Sequence, residues 1–351
     1  MPRNVRTTLG AVTLAGLAVV TVTGCKTQSA ASDGSADSVT IMVGGLDKVI
    51  YLPAELTERL GYFKDEGLDV QLESQPSGAN AETALVAGQV DAVVGFYDHT
   101  IDLQTKGKCI ESVVQFANVP GEVEVVGKNS GITGTADLVG KKLGVTSPGS
   151  STDFLTQYLL SEQGAGTDDY TTVTAGAGAT FIAALQNGGI DAGMTTDPTA
   201  QQIAEQGLGD VLLDMRTEQG TRDALGGLYP ASSIYMDCDY VAAHKETVQK
   251  LANAFVRTLG YIHDHDGAAI AQQMPADYAS GSGGAQTYAA AIDASKGMFG
   301  TTGVMDADGA ANVLRVLGEF NPNIKGHTGD VDLSATYTTE FAEKAATAAG
   351  N

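Results

Sequence analysis

Tryptophan is absent from the 351 residues, aromatic residues make up only 6% of them, and cysteine occurs three times. Three cysteines are too few for a disulfide scaffold, so the fold has to be held by an aliphatic core. Hydrophobic residues at 43% and a length suited to about two domains supply one. Basic side chains are also scarce, with 20 Lys and Arg against 42 Asp and Glu and a formal net charge of −22. That balance argues against nucleic acid as a partner, because phosphate binding needs a basic face that displaces counterions. It equally disfavours electrostatic docking on anionic lipid. Charged residues are only 18% of the chain, and apolar ones are spread along it, which argues against wholesale disorder. Long apolar runs are lacking except at residues 9–22, a stretch shorter than the ~20 residues a spanning helix needs.

That stretch follows Arg3 and Arg6 and leads into Val22-Thr23-Gly24-Cys25. A basic start, a short apolar segment and small residues before a cut point make a secretory signal. The last four residues resemble a bacterial lipobox, with valine at the first position where leucine is commoner. The resemblance implies a lipid on Cys25, which would start the mature chain; a secreted protein with an incidental cysteine is the alternative. Small polar residues then run to Ser38 without apolar periodicity and suit a flexible tether. The expected layout is a signal peptide over 1–24, a tether over 25–38 and a folded body from 39, placed at the outer face of the cell membrane.

From Val39 short apolar strands alternate with helical stretches. Strands are expected at 39–45, 68–73, 90–96, 143–146, 171–174 and 190–195, and helices at 53–63, 81–87, 152–163 and 179–186. Pro53 suits a first helical turn. Strands separated by helices of this length imply doubly wound parallel sheets in an α/β protein. The chain also repeats itself: Ala84-Leu85-Val86-Ala87-Gly88-Gln89-Val90-Asp91-Ala92 aligns with Ala184-Leu185-Gln186-Asn187-Gly188-Gly189-Ile190-Asp191-Ala192, an offset of 100 residues. In each copy a helix ends at glycine, which accepts the left-handed conformation that closes it. Two lobes of like topology follow, with ligands expected beyond the carboxyl ends of their strands.

Leu60-Gly61-Tyr62-Phe63-Lys64-Asp65-Glu66-Gly67-Leu68-Asp69-Val70 carries a family likeness, continued by residues 87–92, 137–145, 148–151 and 189–192. In this order the segments resemble the NMT1/THI5-like solute-binding proteins, which include nitrate-, sulfonate-, taurine- and pyrimidine-precursor-binding components of ABC importers. The resemblance runs from about 39 to about 271. It implies a two-lobed periplasmic-binding-protein fold of type II, each lobe a doubly wound sheet with helices on both faces, and a hinge crossed twice. The crossings are expected near 127–131 and 230–234, so that 39–128 plus 233–351 form one lobe and 129–232 the other. It further implies a monomer that delivers a small molecule to a permease and its ATPase, with no cofactor, metal or catalysis. The rival readings are a pyrimidine-synthase-like enzyme of the same fold and a surface sensor for a signalling kinase.

Candidate ligand contacts follow from the strand-end loops. Asp47, Lys48 and Tyr51 come after the first strand, and Ser77 after the second. Phe96, Tyr97, Asp98 and His99 combine an aromatic face, a carboxylate and an imidazole that would stack on and orient a planar ligand; alternatively Asp98 caps a helix, Tyr97 is core and His99 is solvated. Ser147, Gly149, Ser150, Ser151 and Thr152 join a strand to a helix N-terminus, which favours acceptor groups, or else simply cap that helix. Thr196 and Asp197 occupy the matching place in the second half, Asp197 as ligand acceptor or helix cap. Arg216 would clamp a carboxylate or sulfonate, or sit in ion pairs, as would Arg222. Three acids among these candidates with few cations favour a neutral or amine-bearing heterocycle over nitrate. Cys109 and Cys238 are either a disulfide or two separate buried thiols. Three further patterns fail on spacing: the histidines of His263-Asp264-His265 point different ways on a helix, Asp306-Ala307-Asp308-Gly309 lacks the rest of a calcium loop, and Gly144 to Ser150 lacks the lysine of a phosphate loop.

Overall fold

A computed structural model describes residues 37–279 and 283–350. The expected signal peptide, Cys25 and the tether up to residue 36 lie outside these residues. Asp37 and Ser38, expected in the tether, already pair within the first strand. Among the described residues no helix is long and apolar enough to cross a membrane.

The first half of the chain runs β1 (Asp37–Val43), α1 (Leu52–Arg59), α2 (Tyr62–Asp65), β2 (Leu68–Ser74), α3 (Gly78–Val86), β3 (Ala92–Phe96), α4 (Asp98–Thr105) and β4 (Ile110–Gln115). Next come β5 (Glu122–Gly127), β6 (Lys142–Val145), α5 (Ser151–Ser161), β7 (Thr171–Thr174), α6 (Ala179–Gln186), β8 (Ala192–Thr196), α7 (Thr199–Glu205), β9 (Gly209–Asp214) and α8 (Glu218–Leu225). The chain closes with β10 (Ser232–Asp237), α9 (Cys238–Ala243), α10 (Lys245–Asp264), α11 (Gly267–Ala271), α12 (Gly284–Ser295), α13 (Ala307–Phe320) and α14 (Glu340–Ala349). One expected helix, 53–63, is broken. Gly61 takes a φ of +76° between α1 and α2, a turn that glycine makes without Cβ strain.

The strands form two five-stranded sheets of the same pattern, β2-β1-β3-β10-β4 and β7-β6-β8-β5-β9. In each, four strands run in one direction and the fourth in spatial order runs antiparallel to both its neighbours. That fourth strand is the one the chain forms just after changing sheets. The first crossing therefore lies between β4 and β5, at 116–121, and not near 127–131: β5 pairs with β8 and β9 of the second sheet. The return falls between β9 and β10, within 215–231.

The repeated nonapeptide has a structural reason. Gly88 and Gly188 close α3 and α6 at φ +67° and +69°. Asp91 then accepts the Thr40 amide at 2.8 Å and Asp191 the Lys142 amide at 2.9 Å. Each carboxylate ties the start of its sheet's central strand, β3 or β8, to the strand beside it, β1 or β6.

Helix α10 packs against the first sheet, and its buried face includes Leu251, Phe255, Val256, Leu259 and Ile262. Phe255 stands 4.8 Å from Phe116 and 5.2 Å from Phe63, centroid to centroid. Each such side chain contributes ~1.5–3 kcal/mol by leaving water. Cys109 and Cys238 form a disulfide, Cα atoms 5.5 Å apart, across the neighbouring ends of β4 and β10. The closed loop contains the whole of the second sheet.

Candidate functional site

In both sheets the carboxyl ends of the parallel strands face one gap, and the antiparallel strands bring their amino ends to the same rim. The gap is nearly shut. What remains is a cavity of ≈ 10 Å³, about the room one water takes, lined by Lys48, Ile50 and Tyr51 after β1, Gly78 after β2, Thr146 and Ser150–Thr152 after β6, Thr196 at the end of β8, and Glu122 at the start of β5. Tyr51 presents a buried ring set edge-on to Phe96 at 6.3 Å, a flat wall for a planar molecule.

The polar groups around this cavity are mostly engaged with one another. Thr146, Ser150 and Thr152 form a closed hydroxyl triangle with sides of 2.7–2.9 Å. Lys48 donates to the Gly44 and Pro76 carbonyls at 2.6 and 3.0 Å. Burial lowers its ammonium to about 8 against the opposing pull of Asp47 and Glu122. Asp98 is wholly buried; Tyr229 and Ser151 donate to its two oxygens at 2.9 and 3.1 Å. Burial raises its carboxyl, with His99 and the two donors pulling the other way. Glu122 differs: it is 1% exposed and its Oε2 has no hydrogen-bond partner. Burial, reinforced by Asp98 and opposed by Lys48, holds this carboxyl well above the ordinary range.

Of the residues expected from sequence, Lys48, Tyr51, Ser150, Ser151, Thr152 and Thr196 line the cavity. Phe96 backs Tyr51, and Asp98 holds Ser151. Ser147 donates to Ser77 at 2.8 Å, joining the two halves beside the cavity. His99 lies buried behind Gly78, its Nδ1 3.2 Å from the Tyr235 hydroxyl and its Nε2 without a hydrogen bond, 3.9 Å from Asp98 Oδ1.

Other expectations change. Tyr97 turns into the core and hydrogen-bonds Thr336 at 2.6 Å, because α4 starts immediately after it and carries its ring away from the rim. Asp47 is exposed on the loop surface. The Gly149 amide donates to Asp153 at 2.8 Å, on a surface groove outside the cavity. Asp197 accepts from Arg216 at 3.1 Å, from Ser295 at 2.6 Å and from the Gln201 amide at 3.1 Å, so its carboxylate is fully occupied. Arg216 also grips Asp214 at 2.6 and 2.9 Å; the ion-pair alternative describes Arg216, while Asp197, expected as ligand acceptor or helix cap, takes the amide of Gln201 in α7 and pairs with Arg216 as well.

Further contacts bridge the two halves. Asp197 of the second half meets Ser295 of α12, and its carbonyl accepts the Val49 amide at 2.9 Å. Thr287 donates to Glu205 at 2.6 Å, and Arg315 of α13 donates to the Leu225 carbonyl. One continuous apolar cluster includes α5, β8 and the first sheet.

Sequence reasoning missed Glu122. It searched the loops after strand carboxyl ends, whereas β5 runs antiparallel and delivers its amino end there. The available signal was Glu122-Val123-Glu124-Val125-Val126, two acids on one face of an otherwise apolar strand.

A family model described as NMT1/THI5 like matches residues 51–269. A solved structure from Bordetella bronchiseptica RB50 is 35% identical, with a TM-score of 0.85 over 90% of this chain and 99% of that one. The alkanesulfonate-binding protein SsuA from Xanthomonas axonopodis pv. citri, solved bound to MOPS, is 17% identical, with a TM-score of 0.69 over 87% of this chain and 99% of that one. Among curated proteins, the 4-amino-5-hydroxymethyl-2-methylpyrimidine phosphate synthase of Aspergillus parasiticus is 28% identical over 250 residues, 68% of this chain and 71% of the relative.

Proposed function

The chain belongs to the NMT1/THI5-like family, and from that premise we propose that it is the solute-binding component of an ABC importer, held outside the cell membrane by a lipid on Cys25. The observation that carries this reading is the polar cavity between two sheets joined by two crossings. Solute enters while the sheets stand apart. Contacts made only when they meet, such as Ser295 with Asp197 and Ser77 with Ser147, then favour the shut form. The shut form docks on a permease, and a separate ATPase powers release. Tyr51, Lys48, Thr196 and the 150–152 loop form the pocket, which binds without chemical change. Structural likeness to an alkanesulfonate-binding protein supports the binding role through the fold alone.

The synthase named among the curated relatives favours a second reading, an enzyme acting on a pyrimidine precursor in the same gap. A thermal-shift screen of the protein against heterocycles, sulfonates, nitrate and amino compounds separates the two when each hit is recovered and weighed. A binder raises the midpoint in proportion to the logarithm of its excess over Kd and returns intact. Conversion of the hit at many molecules per protein refutes the binding role. Cys25→Ser tests the anchor: the variant should leave the membrane fraction, and its retention there would count against lipidation.

A further inference from the structure

Resting on the reading that this cavity holds the solute, the chemistry of its lining narrows what the solute can be. The hydroxyls of Thr146, Ser150 and Thr152 satisfy one another, Ser151 is committed to Asp98, and the one cation, Lys48, already donates to two carbonyls. Besides the hydroxyls of Tyr51 and Thr196, which also line the cavity, the group left over is the Glu122 Oε2, on a side chain 1% exposed that lines it too. A buried acceptor without a donor costs about 1–3 kcal/mol, a cost that a ligand bringing N–H groups would remove. Asp98, close enough to perturb Glu122, adds a second carboxyl, so the acids around the cavity outnumber its lysine.

We infer that Glu122 is the specificity-determining residue of the pocket: it pairs with a cationic, N–H-bearing edge of the solute, of the amidinium kind, and it makes the pocket reject sulfonate- and nitrate-type anions. An amidinium offers two parallel N–H donors in one plane, the arrangement that a carboxylate accepts best. Its flat framework lies against Tyr51. An oxyanion in the same place would meet no free cation, since Lys48 is committed to two carbonyls.

Four probes on one ring test this: benzamidine, which is cationic at pH 7, neutral benzamide, benzoate and benzenesulfonate, each titrated calorimetrically into the full chain. Benzamidine should bind about tenfold or more tightly than benzamide, and neither anion should bind measurably. E122Q, nearly the same in shape, should bring benzamidine and benzamide to within a few-fold of each other. Comparison of the four probes on the unaltered protein decides the matter even if E122Q fails to fold. An anion binding as tightly as benzamidine, or an amidine preference that survives E122Q, overturns the assignment while leaving the receptor reading intact. Silence from all four at 10 mM overturns it as well, and the receptor reading then stands or falls on its broader screen.

Discussion

Glu124 lies in β5 between Met194 of β8 and Leu213 of β9, has no exposed surface, and neither of its oxygens is hydrogen-bonded. Burial alone pushes its carboxyl up from 4.5 to about 8. Between those values the unfolded chain has released a proton that the folded chain keeps. Stability must therefore be greatest below about 4.5, fall as pH rises, and level off once the folded carboxyl ionises near 8. At 1.36 kcal/mol for each pH unit, the whole span amounts to roughly 5 kcal/mol as an upper bound. E124Q is uncharged throughout, so its stability relative to the parent should climb steadily from pH 5 to pH 8 and then hold constant. Asp98 is also raised but is common to both proteins and cancels in the difference, whereas Glu122, whose carboxyl Glu124 helps to raise, cancels only in part. With no tryptophan to report unfolding, urea titrations at pH 5, 6, 7, 8 and 9 would be followed by circular dichroism. Parallel curves for the two proteins across that range would refute the reasoning, because they would mean the carboxylate ionises in the fold without penalty.

Three other outcomes are expected. Reducing the Cys109–Cys238 disulfide frees a loop of 129 residues, and chain entropy sets the loss at up to about 5 kcal/mol; an unchanged urea midpoint in reductant would contradict this. Tyr97→Phe should cost about 1 kcal/mol of stability through its lost bond to Thr336 and leave solute affinity untouched, whereas Tyr51→Ala should weaken binding at least tenfold; calorimetry with a screened solute checks both, and reversed sensitivities would move the pocket. Asp197→Asn should loosen the clasp on Ser295 and Arg216, lowering stability by about 2 kcal/mol and enlarging the radius of gyration of the solute-bound form; small-angle scattering indistinguishable from the parent would remove Asp197 from closure.

Much of the architecture was legible because it is local. The stretches around 171–174 and 179–186 become β7 and α6 at those bounds, since short β-branched runs and apolar residues at helical spacing act over a few neighbours. The repeat at 84–92 and 184–192 marked two sheets of one pattern because each copy makes the same glycine turn and the same carboxylate clamp. The crossing was not legible. A strand at 122–127 satisfies its backbone equally well in either sheet, and only pairing with β8 and β9, some 70 to 90 residues away, decides which. The pocket was half legible for the same reason. Loops such as 147–152 declare themselves by composition, but Glu122 and Glu124 look like the wet face of a strand, and only the tertiary fold buries them. Asp197 was visible as a chemically able group, yet its partners Arg216 and Ser295 lie 19 and 98 residues away, and they turn it from ligand acceptor into clasp.

The most direct measurement combines scattering with recovery of the solute: the protein is titrated with a compound that raises its melting midpoint, its radius of gyration is followed, and the bound fraction is then released and weighed. Contraction on binding, with one unaltered molecule recovered per chain, is the expected result. A radius that stays fixed through saturation, or a product that accumulates beyond the amount of protein, would contradict capture by closure.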